Sequence, residues 1–220
     1  MDSTRRAIKI IEILRKATQG MTVPASDTVV ERYGRDPFLI LISCLLSLRT
    51  KDTVSLPASL RLFERATTPQ EILNLSLDEI EKIIYPCVFY RNKAKSVQYV
   101  SRQILDAFAG KVPDTRENLL SLKGVGPKTA ALVLAQGFGI PAICVDTHVH
   151  RISNRLGLVN TKSPEETEEA LMRVLPQEFW REYNQLLVVW GQNICVPISP
   201  FCSKCPLYDL CERKGVTKSR

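Results

Sequence analysis

Hydrophobic positions recur at helical spacing along most of the chain. Ile8, Ile11 and Leu14 share one face of an N-terminal segment that Ser3 or Thr4 can cap. Phe38 to Leu48 is so densely apolar that the helix it predicts is buried on most sides. Leu56 to Ala66 predicts a third helix. Ser76 caps Leu77 to Tyr85, and Glu79 completes a capping box. Ala94, Val97, Val100, Ile104 and Phe108 line one face of a longer helix from Asn92 to Ala109. Further helices are predicted at Arg116 to Leu122 behind Thr115, Pro127 to Gly137, Thr147 to Leu156, Pro164 to Leu175 and Phe179 to Val189. Alternating apolar runs are rare, so no strand is predicted and the fold class is all-α. Pro-Asp, Gly-Lys and Thr-Thr-Pro signals mark short loops, and no internal repeat is detectable.

Composition narrows the class. With 45% hydrophobic and 24% charged residues over 220 positions, the chain has enough apolar material to bury a core, which excludes disorder over most of its length. The longest apolar run, Phe38 to Leu46, is broken by Ser43 and is far short of the roughly 20 residues a membrane span needs. The start carries Arg5, Arg6, Lys9, Glu12, Arg15 and Lys16, unlike a secretory leader. An intracellular protein is expected: cytoplasmic or nucleoid in a prokaryote, nuclear or mitochondrial in a eukaryote. The net charge of +7 favours a polyanionic partner. Residues 87–111 concentrate Arg91, Lys93, Lys95, Arg102 and Lys111, whereas the six glutamates of 161–183 read as a solvated helix face.

The segment Leu122-Lys123-Gly124-Val125-Gly126-Pro127-Lys128-Thr129-Ala130 ends one helix and opens another within a Gly-Val-Gly turn. Pro127 suits a first helical position. Two glycines permit positive φ and close backbone approach, and a helix start offers N–H groups and a positive dipole end to a phosphate. This is the helix-hairpin-helix pattern, which grips DNA backbone without reading bases. A plain tight αα turn would share the glycines, but not the whole Leu-x-Gly-Val-Gly-x-Lys string. Lys128 falls in the first turn, where a cation is electrostatically unfavourable. It is either a solvated lysine or an amine whose pKa the helix end and partial burial depress, ready to form a Schiff base.

In Val145-Asp146-Thr147-His148-Val149-His150-Arg151, Asp146 is an N-cap, a carboxylate able to stabilise a developing cation, or both. His148, His150 and Arg151 are candidate phosphate contacts, although a histidine here is as often merely packed.

Cysteine usage is uneven. Cys44, Cys87 and Cys144 sit in apolar surroundings and read as buried small hydrophobes. The odd count of seven argues against a disulfide framework. Cys195-x6-Cys202-x2-Cys205-x5-Cys211 places four thiols within 17 residues. Structural zinc prefers two close pairs, and only Cys202 and Cys205 form one. The uneven gaps favour a [4Fe–4S] cluster, with zinc as the alternative.

Taken together, Leu-x-Gly-Val-Gly-x-Lys-Thr-Ala, Val-Asp-Thr-His-Val-x-Arg and C-x6-C-x2-C-x5-C resemble the endonuclease III family of base-excision DNA glycosylases, from about Pro37 to Cys211. The stretch Tyr85 to Lys93 looks nearer to eukaryote-type members. The resemblance implies the helix-hairpin-helix glycosylase fold: a six-helix barrel domain at 29–139, a second lobe of 1–28 with 140–220 carrying the cluster loop at 195–211, and a cleft for a flipped nucleotide. It implies that Lys128 is the nucleophile and Asp146, 18 residues on as the family requires, its essential carboxylate. The implied activity is removal of damaged pyrimidines followed by β-elimination at the abasic site. The implied partner is duplex DNA bearing damaged bases or abasic sites, bound by a monomer.

By the same resemblance, DNA contacts are expected at Lys123, Gly124, Val125, Gly126, Thr129, Arg49, Phe89, His148 and Arg151. Two of these depart from the bacterial pattern. Ser47-Leu48-Arg49-Thr50-Lys51-Asp52 has Arg49 where a glutamine fills the gap left by the flipped base, and Phe89 replaces a leucine wedge. Only Lys204 is basic between the cluster cysteines, which implies a weaker phosphate grip there. Two rivals remain. Monofunctional mismatch or damaged-base glycosylases typically lack a lysine at position 128, and the adenine type carries a further C-terminal domain not present after Cys211. A non-catalytic DNA-binding module would need neither Lys128 nor Asp146.

Overall fold

The computed structural model describes residues 2–220, among which there is no strand. The helices are α1 Ser3–Ala17, α2 Ala25–Tyr33, α3 Pro37–Ser47, α4 Asp52–Phe63, α5 Pro69–Asn74, α6 Leu77–Ile84, α7 Tyr90–Phe108, α8 Arg116–Ser121, α9 Pro127–Leu132, α10 Thr147–Leu156, α11 Pro164–Val174 and α12 Trp180–Asn193. A π-helical stretch, Val133–Phe138, continues α9. The chain divides into two compact units, one of Pro24–Ile140 and the other of Met1–Val23 with Pro141–Arg220.

The unit of α2 to α9 is built around α3. Asp36 caps it, its carboxylate accepting from the Phe38 and Leu39 amides at 2.8 and 3.1 Å. Every residue from Phe38 to Leu46 is buried, as the dense apolar run predicts. Neighbours cover α3 on several sides: α2, α4, α7, α9 and the π stretch. Burying each large aliphatic side chain contributes roughly 1.5–3 kcal/mol, so α3 is the stabilising axis of this unit. The π stretch lies close to α3, since a Cβ on Gly137 would sit 2.9 Å from the Pro37 Cα.

The other unit packs α1 against α11 and α12, and α10 against the same pair. Its core includes Ile10, Ile11, Leu14, Val149, Ile152, Leu171, Tyr183 and Trp190.

Several expectations need correction. Neither Ser3 nor Thr4 caps α1, because Ser3 is already helical behind Asp2. Its buried stripe is Ala7, Ile10, Ile11 and Leu14, with Ile8 only half-buried. Two helices went unpredicted, α2 and α5. Thr-Thr-Pro is not a plain loop signal: Thr68 accepts from the Glu71 amide and Glu71 answers, so a capping box opens α5. Not every charge in the polar stretches is solvated, since Lys93 and Glu168 are buried.

Candidate active site and cluster loop

In the unit of α2 to α9, the Gly-Val-Gly turn joins α8 to α9. Gly124 takes φ +87°, a conformation that suits glycine. Gly126 does not: it is extended, at φ −98° and ψ 177°, and stands as the N-cap of α9. Between them Val125 is buried and its amide donates to the Leu122 carbonyl at 3.0 Å. Pro127 holds the first helical position as expected, and helix geometry directs the first-turn amides out of this end. The Lys123 amide donates to Gln103 Oε1 at 2.9 Å, and its ammonium lies 4.7 Å from the Tyr99 ring centre. So α7 orients the residue that precedes the turn.

Lys128 is exposed, which corrects the expectation of partial burial. It stands one residue after Pro127, at the positive end of α9, and its charge acts on the Cys44 thiol of α3. Burial pushes that thiol up to about 12 despite the lysine, so Cys44 is an inert packing group. Thr129 is buried, so only its backbone suits a phosphate contact.

Arg49 and Phe89 are both exposed, and both adopt left-handed backbone conformations, φ 55° and 58°. The Arg49 guanidinium lies 5.3 Å from the Phe89 ring centre.

In the other unit, Asp146 is the N-cap of α10. One carboxylate oxygen accepts from the His148 and Val149 amides, each at 2.9 Å, and the residue is buried. Arg151, one turn on, is half-buried and faces inward. It donates to the carbonyls of Thr147 (3.3 Å), Gly191 (3.4 Å) and Cys195 (2.9 Å) and lies 3.2 Å from His148 Nδ1. These bonds fix α10 to α12 and to Cys195. A Cβ on Gly191 would sit 2.2 Å from His148 Nδ1, a requirement the sequence pattern did not reveal. His150 bonds Thr167 Oγ1 at 2.6 Å and is packed.

Cys195, Cys202, Cys205 and Cys211 line a single cavity together with Arg155, Phe201 and Tyr208. Arg155 holds the loop: it donates to the Cys195 sulfur at 3.4 Å, to the Val196 carbonyl at 2.8 Å and to the Pro197 carbonyl at 2.7 Å. Arg6 of α1 donates to the Leu210 carbonyl at 2.7 Å. Burial raises the Cys205 and Cys211 thiols, and neighbouring cluster cysteines add to it. The four cysteines offer the cavity only sulfur as potential metal donors. Among the described residues, no three His, Cys, Asp or Glu side chains converge as the ligands of one metal ion would. No helix among them is long and apolar enough to cross a membrane.

Residues 42–177 match the family model described as HhH-GPD superfamily base excision DNA repair protein. The endonuclease III of Thermotoga maritima is 47% identical over 84% of this chain and 89% of its own. A trapped covalent endonuclease III–DNA intermediate, an estranged-adenine complex, matches at TM-score 0.84 and 34% identity over 97% of each chain. A thermostable thymine-DNA glycosylase matches at TM-score 0.82 and 27% identity, over 94% of this chain and 95% of that one. The chain belongs to the HhH-GPD superfamily and, within it, to the endonuclease III family. That family is generally known to carry a [4Fe–4S] cluster.

Proposed function

We propose that this chain removes oxidised or otherwise damaged pyrimidines from duplex DNA and cuts the abasic site by β-elimination through Lys128. The position of Lys128, in the first turn of the helix that follows the hairpin, carries the reading. There the amine stands beside the turn that grips the DNA backbone, and its neutral form is the one that attacks a carbon. The damaged nucleotide leaves the base stack before it reacts. The Lys128 amine adds to the sugar C1′ as the base departs with the glycosidic electron pair and takes up a proton. Ring opening gives a protonated Schiff base, loss of a C2′ proton expels the 3′ phosphate, and water later releases the lysine. Asp146 stabilises the cationic sugar, one of its oxygens being fixed by two backbone amides. The amides at the start of α9, with Lys123 beside the turn, hold the phosphate backbone.

Cys195, Cys202, Cys205 and Cys211 are the ligands of a [4Fe–4S] cluster in this reading. Their shared cavity and all-thiol set of potential donors support it, and the uneven spacing along the chain, with only Cys202 and Cys205 a close pair, favours a multi-iron centre over a single zinc. When bound, the cluster cross-links and orders a loop; no step of the reaction passes through it.

Borohydride trapping on a duplex with one thymine glycol or abasic site tests the reading. Wild type should give a covalent adduct, and Lys128→Gln none. Asp146→Asn keeps an oxygen acceptor for the His148 and Val149 amides, so it should fold and bind yet lose about 100-fold or more in rate. Wild type that binds the duplex but never traps would favour a monofunctional glycosylase, the reading to which the thymine-DNA glycosylase likeness points.

A further inference from the structure

Lys93 is a buried cation with no carboxylate paired to it among the described residues. Such a group is expensive unless its hydrogen bonds are well made. Its ammonium donates to the Leu46 carbonyl at 2.5 Å and to Thr50 Oγ1 at 2.6 Å. The first bond alone would be ordinary capping of the last turn of α3, where a cation is favoured. The second is not explained that way. The same Thr50 oxygen accepts the Val88 amide at 3.1 Å, so one buried hydroxyl joins α7, the loop after α3 and the loop before α7.

Two left-handed residues stand beside this node. Arg49 precedes Thr50, and Phe89 follows Val88. Left-handed backbone costs an ordinary residue on the order of 1–2 kcal/mol and persists only where its surroundings impose it. Beside the stacked pair, Leu48 is 43% and Val88 45% exposed, and Phe89 itself is 54% exposed. Two strained residues stacked on each other and flanked by exposed apolar side chains are poorly explained by the stability of the free protein.

We propose that Lys93, acting through Thr50, is a positioning residue that presents Arg49 and Phe89 as one preassembled blade, which enters the base stack at the lesion as a unit. The proposal rests on the DNA-repair reading above. The aromatic face stacks on bases, and the guanidinium, with donors only, meets acceptors on the base left without a partner. Because the strain is borne before DNA arrives, insertion loses little further conformational freedom.

The test uses the full chain and a duplex in which 2-aminopurine neighbours a reduced abasic site, so that unstacking raises fluorescence. Thr50→Val keeps the side-chain shape and deletes the bridging oxygen, and Thr50→Ser restores the oxygen. Thr50→Val should weaken abasic-duplex binding by about tenfold, the scale of a lost charge-assisted hydrogen bond. It should lower the fluorescence rise in parallel, and Thr50→Ser should recover most of both. Arg49→Ala, Phe89→Ala and the double variant form a cycle that does not depend on the Thr50 variants folding. For one blade, the double variant is little worse than the worse single variant. Independent, multiplying losses in that cycle would overturn the proposal, as would a Thr50→Val protein with full fluorescence or a Thr50→Ser protein as impaired as Thr50→Val. Wild-type trapping on an abasic duplex, run alongside, separates this outcome from failure of the repair reading itself.

Discussion

Gly124 and Gly126 look alike in the sequence, yet their backbones demand different things. Gly124 sits at φ +87°, where any side chain is strained, although a Cβ would meet only Leu45 at 3.9 Å. Gly126 is extended and has nothing within 4 Å of an added Cβ. Gly124→Ala should therefore cost about 1–2 kcal/mol, measured by urea unfolding. Gly126→Ala should change stability by less than about 0.5 kcal/mol. If Gly126 exists to let a phosphate approach the backbone, the same variant should still lose about tenfold in duplex affinity. A Gly126→Ala protein with unchanged affinity would leave that glycine without a DNA role. Lys93 and Thr50 teach the complementary lesson. In the sequence Lys93 is one of five basic residues between 87 and 111, and nothing in its spacing marks it as buried. Its role exists only where α7 meets the end of α3, so no local pattern could have revealed it. The internal bonds of Arg151 are illegible for the same reason: its partners at Gly191 and Cys195 lie 40 and 44 residues away.

At the scale of elements, legibility followed cap chemistry and stripe length. Ser76, Thr115 and Asp146 were readable as caps because each side chain satisfies an amide within its own next turn. α3 was readable from apolar density alone. α2 was missed because Pro24 supplies no cap and its Ala-Ser-Asp-Thr start is polar. α5 was missed because it has only 6 residues and opens on Pro69, which reads equally as a turn. Its capping box nevertheless has a measurable signature. The amides of Thr67 and Ser76 hold the Glu71 and Glu79 carboxyls below the ordinary glutamate value of 4.5. A folded-state value below the unfolded one means the unfolded chain binds protons first as pH falls. The stabilisation is complete above about pH 4.5 and disappears as pH drops through the lower folded value. The urea midpoint of wild type should thus fall more steeply below pH 4.5 than that of Glu71→Gln or Glu79→Gln. Superimposable curves would mean the boxes carry no charge-dependent stability.

For the whole molecule the question is what the proposed [4Fe–4S] cluster would hold together. In small zinc-dependent domains metal binding is folding, because the apolar core is too small to stand alone. The unit that carries the four cysteines differs. Its core is drawn from α1, α10, α11 and α12, with Leu207 a buried contribution from the cluster segment. Cys195, Cys205 and Cys211 pack at the margin of that core. Arg155 and Arg6 grip the segment through its carbonyls, with bonds that require no metal. If the four cysteines hold a cluster as proposed, losing it should release the segment without unfolding the unit. In Cys202→Ser, hydrogen exchange should rise across residues 194–220 while the α1, α10 and α12 amides stay protected. Far-ultraviolet circular dichroism should hold most of its helical signal. Loss of protection in α1 or α10 would show that the cluster sustains this whole unit, and that the core around Tyr183 and Trp190 does not suffice.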